Sequence, residues 1–194
     1  MSKERIQKIL AQNGFSSRRK IESLITEGRV FINDKPAKLG DKISIDEKVF
    51  IDGKEVRLAQ QISPELIMYN KPVGEECTHG SSKKTVFDGL PKPKSGKWIS
   101  IGRLDINTSG LLLITNDGQL ANDIIHPSKE IEREYIVRVR GKPSDSSLKK
   151  LTSGVVIDKK EISFTDLVRG KETSSHTWFA LVILSGKNRS VRKL

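Results

Sequence analysis

The spacing of apolar residues changes once along this chain, near residue 60, and the change sets a different folding problem on either side of it. Ahead of it apolar side chains recur at helical spacing. In "ERIQKILAQNG" they are Ile6, Ile9 and Leu10, with Gly14 where a helix C-cap belongs. In "SSRRKIESLITEG" they are Ile21, Leu24 and Ile25, with Ser16 or Ser17 as N-cap and Gly28 as the stop. "RVFIN", the Pro-containing turn "DKPA", "DKISI" and "KVFIDGKEV" are short β-rich pieces, and Asp52-Gly53 is a tight turn. Residues 1–58 therefore read as two helices packed on a small sheet. Residues 59–64, in "RLAQQISPE", lose periodicity as they approach Pro64 and read as a linker.

From residue 65 onward the pattern is that of longer strands with scattered helices. "LIMYNKP", "WISIGRLD", "LLLITND", "EREYIVRVRG", "EISFTDLVRG" and "TWFALVILSG" read as strands. "GQLANDIIHP", closed by Pro127, and "DSSLKKLTSG" read as helices. The fold class expected is α+β: a small α/β module, then a larger domain on a mixed, mostly antiparallel sheet. "GSSKKT" at 80–85 is expected to be a mobile loop.

Charge narrows the partner. The 194 residues carry 35 Lys and Arg against 24 Asp and Glu, a formal net charge of +11. Such a balance favours a polyanion, with nucleic acid the first candidate. The first thirty residues hold seven Lys or Arg against three acids. Arg18, Arg19 and Lys20 open the second helix, where unpaired N–H groups and the positive dipole end also favour phosphate. One cysteine, Cys77, excludes an internal disulfide framework and fits a reducing cytoplasm. His79, His126 and His176 lie far apart without metal-ligand spacing, so no metal is expected. "MSKERIQKIL" lacks the apolar core of a signal peptide, and no apolar run approaches the roughly 20 residues of a membrane span. A soluble cytoplasmic protein is expected, with no membrane contact.

Two resemblances extend this reading. "RIQKILAQNGFSSRRKIESLITEGRVFINDKPAKLGDKI" resembles the S4 RNA-binding domain over about the first 50 residues. The likeness implies that Arg18, Arg19, Lys20 and Arg29 meet structured RNA, mainly through phosphates and shape. "GRLDINTSGLLLITNDGQLANDIIHP" resembles the catalytic motif of pseudouridine synthases, in the branch that modifies ribosomal RNA and carries an N-terminal S4 domain. "NKPVGEECT", "TVFDGLP", "EREYIVRV" and "GKNRSVRKL" fit the same family in its order, so the likeness spans nearly all of 65–194.

The family's reaction breaks the bond from uracil N1 to C1′, turns the base and rejoins it through C5, with no net redox change; no cofactor is implied. One carboxylate, acting as nucleophile, base or electrostatic partner, suffices. The resemblance gives that role to Asp105. It gives Arg192 the ion pair that keeps the carboxylate charged, with Arg189 as the other basic candidate. Tyr135 is implied to stack under the target base and to handle a proton. Arg103 is implied in base displacement or phosphate contact, and Asn107, Thr108, Ser109 and Gly110 in the catalytic loop. Lys71 and Pro72 read as scaffold at a strand end. Cys77 and His79, two residues apart, would rarely meet as a nucleophile and base.

The implied partner is structured ribosomal RNA, preferably of the large subunit, with the protein acting as a monomer without an obligate protein partner. The family's catalytic domain normally continues for some tens of residues past "GKNRSVRKL", so truncation at Leu194 is expected, and "THGSSKKTVFD" is shorter than in the nearest relatives. Two rivals stay open: a ribosome-assembly factor that binds RNA without turnover, and an N-glycosylase that cleaves without rejoining.

Overall fold

The computed structural model describes residues 3–59, 63–157, 159–184 and 190–193. Their contacts divide the chain into two compact units, Met1–Ala121 and Asn122–Leu194. The stretch read as a linker lies inside the first unit, and residues 60–62 of it fall outside the described residues.

The first unit opens with β1 (Glu4–Arg5), α1 (Ile6–Gln12) and α2 (Arg18–Thr26). It continues with β2 (Val30–Ile32), β3 (Lys35–Pro36), β4 (Lys42–Ile43), β5 (Val49–Ile51) and β6 (Lys54–Val56). Ser17 caps α2, its hydroxyl accepting from the Lys20 amide at 3.2 Å. The helical spacing buries Ile6, Ile9 and Leu10 against Ile21, Leu24 and Ile25, with Val30, Ile43, Val49 and Val56 completing the core. The antiparallel sheet runs β3-β2-β5-β6, and Asp52 and Gly53, both at positive φ, turn β5 into β6. One expectation needs correction: the first helix starts at Ile6, because Glu4 and Arg5 pair with Ile43 and Lys42 instead of coiling. The expected turn in "DKPA" also contains strand residues, since Lys35 and Pro36 pair with Ile32 and Phe31.

The rest of this unit is built on β7 (Leu66–Lys71), β8 (Ile99–Ile101) and β9 (Gly110–Thr115), an antiparallel sheet in the order β7-β9-β8. One face packs Ile67, Tyr69, Leu112 and Ile114 against Val86 and Trp98, whose indole donates to the Pro91 carbonyl at 2.6 Å. β8 is shorter than "WISIGRLD" suggests; the backbone leaves extended geometry at Gly102, whose φ is +79°. Gly96 backs onto Gln12 so closely that a Cβ there would fall 2.5 Å from the Gln12 carbonyl oxygen. The "GSSKKT" loop, expected to be mobile, is fastened at its base: the Glu76 and Val86 amides donate to the Lys84 and Glu76 carbonyls, and Ser81 Oγ donates to Glu76 Oε2 at 2.7 Å.

α3 (Gly118–Ile125) is capped by Asp117, whose carboxylate accepts from the Gln119 and Leu120 amides. The second unit then holds β10 (Arg133–Arg140), α4 (Asp145–Ser153), β11 (Val155–Ile157), β12 (Lys160–Ile162), β13 (Asp166–Glu172), β14 (His176–Ile183) and α5 (Ser190–Lys193). Its main sheet is antiparallel in the order β10-β14-β13, and β14 alternates buried with half-buried residues along its length. Phe164, Ile162, Leu181 and Ile183 form its core. The single strand expected over "EISFTDLVRG" is two: β12 forms a hairpin with β11, a strand the sequence pattern did not suggest, and the chain crosses to β13 only after burying Phe164. No helix among the described residues is long and apolar enough to cross a membrane.

Candidate active site

The loop carrying Asp105 joins β8 to β9. After Gly102 it turns tightly, the Thr108 amide donating to the Asp105 carbonyl at 2.9 Å, and enters β9 at Gly110, whose φ is +127°. Gly110 lies opposite Lys71, the last residue of β7. Lys71 is fully buried, and its ammonium donates to the carbonyls of Pro72 at 2.9 Å, Thr108 at 2.9 Å and Asp105 at 3.2 Å. An ammonium has three donors, so each of these carbonyls takes one. Hydrogen bonds to a charged group contribute about 1.5–3 kcal/mol each.

The segment after Lys71 adds two further tethers. The Gly74 amide donates to the Ile106 carbonyl at 2.7 Å, and the Cys77 thiol to the Leu104 carbonyl at 3.4 Å. Backbone carbonyls at 104, 105, 106 and 108 are thus all held by "KPVGEEC". The scaffold reading of Lys71 acquires a concrete form: it fixes the backbone that carries Asp105. Asp105 and Thr108 are half-buried, whereas Arg103 and Asn107 are exposed. Cys77 is occupied at Leu104, while His79 stacks on Phe87 at 3.8 Å with its Nε2 at 2.9 Å from the Trp98 carbonyl oxygen.

Beside the loop lies a buried acid that sequence reasoning passed over. Glu75 is 2% exposed, accepts from the Tyr69 hydroxyl at 2.5 Å and pairs with Lys84 at 2.8 Å. Burial alone would raise its carboxyl, but the hydrogen bonds from Lys84 and Tyr69 and the charges of Lys84 and Lys71 outweigh it and hold the group below the usual carboxylate range. Its hydrogen bond, with burial and its charge, pushes the Tyr69 phenol up to about 12. In "NKPVGEECT" the two glutamates look alike; only the alternation of the preceding strand, which sends Tyr69 and Lys71 to the same face, hinted at what Glu75 would meet.

Tyr135 and Arg192 belong to the second unit. Tyr135 stands opposite Leu181 in the β10–β14 ladder and is half-buried on the core of that unit. Val191 packs on the same cluster, and Arg192 follows it, exposed, in α5. Arg189 lies outside the described residues.

Of the basic residues assigned to RNA, Arg18, Arg19 and Lys20 are exposed on the first turn of α2. Arg29 is differently placed: its guanidinium grips both oxygens of Asp52, each at 2.7 Å, and bonds Glu27 at 2.9 Å. Hydrogen bonding to Asp52, then to Glu27, raises the Arg29 pKa further above its already high value. Among the described residues no group of three or more His, Cys, Asp or Glu side chains converges as metal ligands would.

The RNA pseudouridylate synthase family matches residues 65–194, and the S4 domain matches residues 4–49. Ribosomal large subunit pseudouridine synthase B of Pseudomonas aeruginosa is 43% identical over 197 residues, covering 98% of this chain and 51% of that protein. The proteins of the same name from Vibrio vulnificus and Escherichia coli O6:H1 are 45% and 44% identical over 98% of this chain, and 61% and 68% of their own lengths. The chain thus spans about half to two thirds of these relatives. A solved crystal structure of pseudouridylate synthase matches in fold with a TM-score of 0.61 at 24% identity, covering 96% of this chain and 80% of that one. The chain belongs to the RNA pseudouridylate synthase family, with an S4 domain ahead of the synthase domain.

Proposed function

We propose that this chain isomerises a uridine of large-subunit ribosomal RNA to pseudouridine, with residues 1–58 docking the RNA, 59–64 as linker and 65–194 carrying the chemistry. The observation that carries this reading is the fastening of the Asp105 loop. A carboxylate that must meet one sugar carbon gains from a backbone fixed at successive carbonyls, and Lys71, Gly74 and Cys77 supply those tethers. The names of the relatives support the large-subunit target.

In the proposed reaction the target uridine leaves its stack with help from Arg103, and Asn107 and Thr108 line its path. Asp105 supports cleavage of the bond from N1 to C1′, the uracil turns, and C5 bonds to C1′. The proton on C5 is then lost and N1 takes one up, so atoms balance without an external reagent. Tyr135 supplies the stacking surface for the base, and Arg192, with Arg189 as the other basic candidate, the cation that pairs with the Asp105 carboxylate. Arg18, Arg19 and Lys20 contact phosphates, and the protein works in the cytoplasm as a monomer.

Incubation with unmodified large-subunit ribosomal RNA, followed by chemical mapping of pseudouridine, tests the proposal. Conversion at one uridine is the expected result. Free uracil with an abasic site would replace the reading with a glycosylase, and tight binding without conversion would replace it with an assembly factor.

A further inference from the structure

Lys71 poses a charge problem that its hydrogen bonds do not solve. The Pro72, Asp105 and Thr108 carbonyls satisfy its donors but are neutral, and a cation with no exposed surface is costly unless an anion is near. Glu75 is likewise buried, lies four residues along the chain, and is reached by the hydroxyl of Tyr69, which shares with Lys71 the inward face of β7; the charge of Lys71 also helps to hold it ionised. Its other partners face it from two sides, Tyr69 from β7 and Lys84 from the 78–85 loop, where Asp88 in turn faces Lys84. Lys84 is 69% exposed at its side chain, so water screens it and leaves Glu75 with negative charge to offer inward. Neighbouring Glu76 points to the loop instead, accepting from Ser81 and lying 3.7 Å from Lys83.

We propose that Glu75 is a positioning residue: its carboxylate is the counter-charge of the buried Lys71 ammonium, and through Lys71 it keeps the Asp105 loop in its working geometry. The part of this inference that concerns Asp105 rests on the function proposed above, whereas the pairing of Glu75 with Lys71 does not.

The experiment is a double-variant cycle on the 194-residue chain with Glu75→Gln, Lys71→Met and both together, read by thermal unfolding and by conversion of large-subunit ribosomal RNA. Glu75→Gln leaves the Lys71 ammonium without a counter-charge, and Lys71→Met leaves Glu75 with only the water-screened Lys84, so each should lower the unfolding midpoint by about 6 °C or more. The double variant should lose clearly less than the two losses added, because neither buried charge remains. Additive losses, or a double variant that fails to fold where a single one folds, would overturn the pairing.

In turnover, Glu75→Gln should reduce kcat by about tenfold to a hundredfold with KM for RNA little changed. Lys84→Ala should cost less than about fivefold. Equal losses from Glu75→Gln and Lys84→Ala would mean that Glu75 merely fastens the loop and would sink the positioning role. Asp105→Asn, run alongside, decides the underlying reading by itself: retained turnover there refutes that reading, while the unfolding cycle still decides the pairing.

Discussion

The first unit places positive charge in two opposite ways. On α2, Arg18, Arg19 and Lys20 stand in water at a helix start. At the end of β7, Lys71 is sealed from water with its donors consumed by carbonyls of the loop it supports. A charge meant for a polyanion must stay solvated and unclaimed, because its contribution comes from displacing counterions. A charge meant to hold backbone is strongest where water cannot compete. Arg29 illustrates the boundary between the two: it is exposed, yet Asp52 and Glu27 already occupy its guanidinium.

Changes to each region should therefore separate turnover from affinity. Outside Asp105 itself, the largest effect belongs to the buried charge. Lys71→Met should reduce conversion by about a hundredfold and destabilise the fold by about 3–5 kcal/mol while RNA affinity changes little, read by rapid-quench kinetics and denaturant unfolding. A comparable loss of affinity would show that the two regions are not independent. Next comes Gly96→Ala, whose Cβ would collide with the Gln12 carbonyl oxygen while adopting positive φ. About 1–3 kcal/mol of stability should be lost, measured by urea unfolding. Arg18→Ala with Arg19→Ala should weaken binding and flatten its salt dependence by about 0.7–0.9 for each phosphate no longer neutralised, with turnover on saturating RNA preserved. Arg29→Ala sharpens the contrast, since the same titration should show almost no change in slope; a slope change equal to that of Arg18→Ala would return Arg29 to the RNA-binding face.

The smallest effects are in pH dependence. Glu75, Asp52 and Asp88 are held below the usual carboxylate range, so the stability they add is complete above about pH 4 and is lost as pH falls through their folded-state values. Tyr69 is raised to about 12, so its contribution is complete below the usual phenol value of about 10 and is lost as pH rises toward 12. Ultraviolet titration of the phenols should show one of the two tyrosines ionising near 12, and in Glu75→Gln that step should move down toward 10.

What could be read from the sequence was local or repeated. Ser17 caps α2 where a cap residue precedes apolar helical spacing, and β14 forms where "TWFALVIL" reads as a strand. Asp105 could be put forward from the sequence because a whole motif surrounds it. The parts that were not legible depend on residues distant in sequence. Glu4 and Arg5 carry helix-compatible side chains, yet Lys42 and Ile43 offer them a ladder. Gly96 looks like one more loop glycine until Gln12 approaches it. Glu75 and Glu76 share a polar loop, and only the packing of Tyr69 and Lys71 makes one a buried anion and the other a loop anchor. Periodicity reports which face of an element is apolar; it is silent on which buried charge will face which carbonyl.

The most direct test of this division of labour is Asp105→Asn, measured on one RNA preparation for both affinity and single-turnover conversion. The predicted result is an unchanged dissociation constant and salt slope with conversion reduced by about a thousandfold or more. Conversion close to that of the unmodified chain, or an affinity that falls in step with turnover, would contradict it.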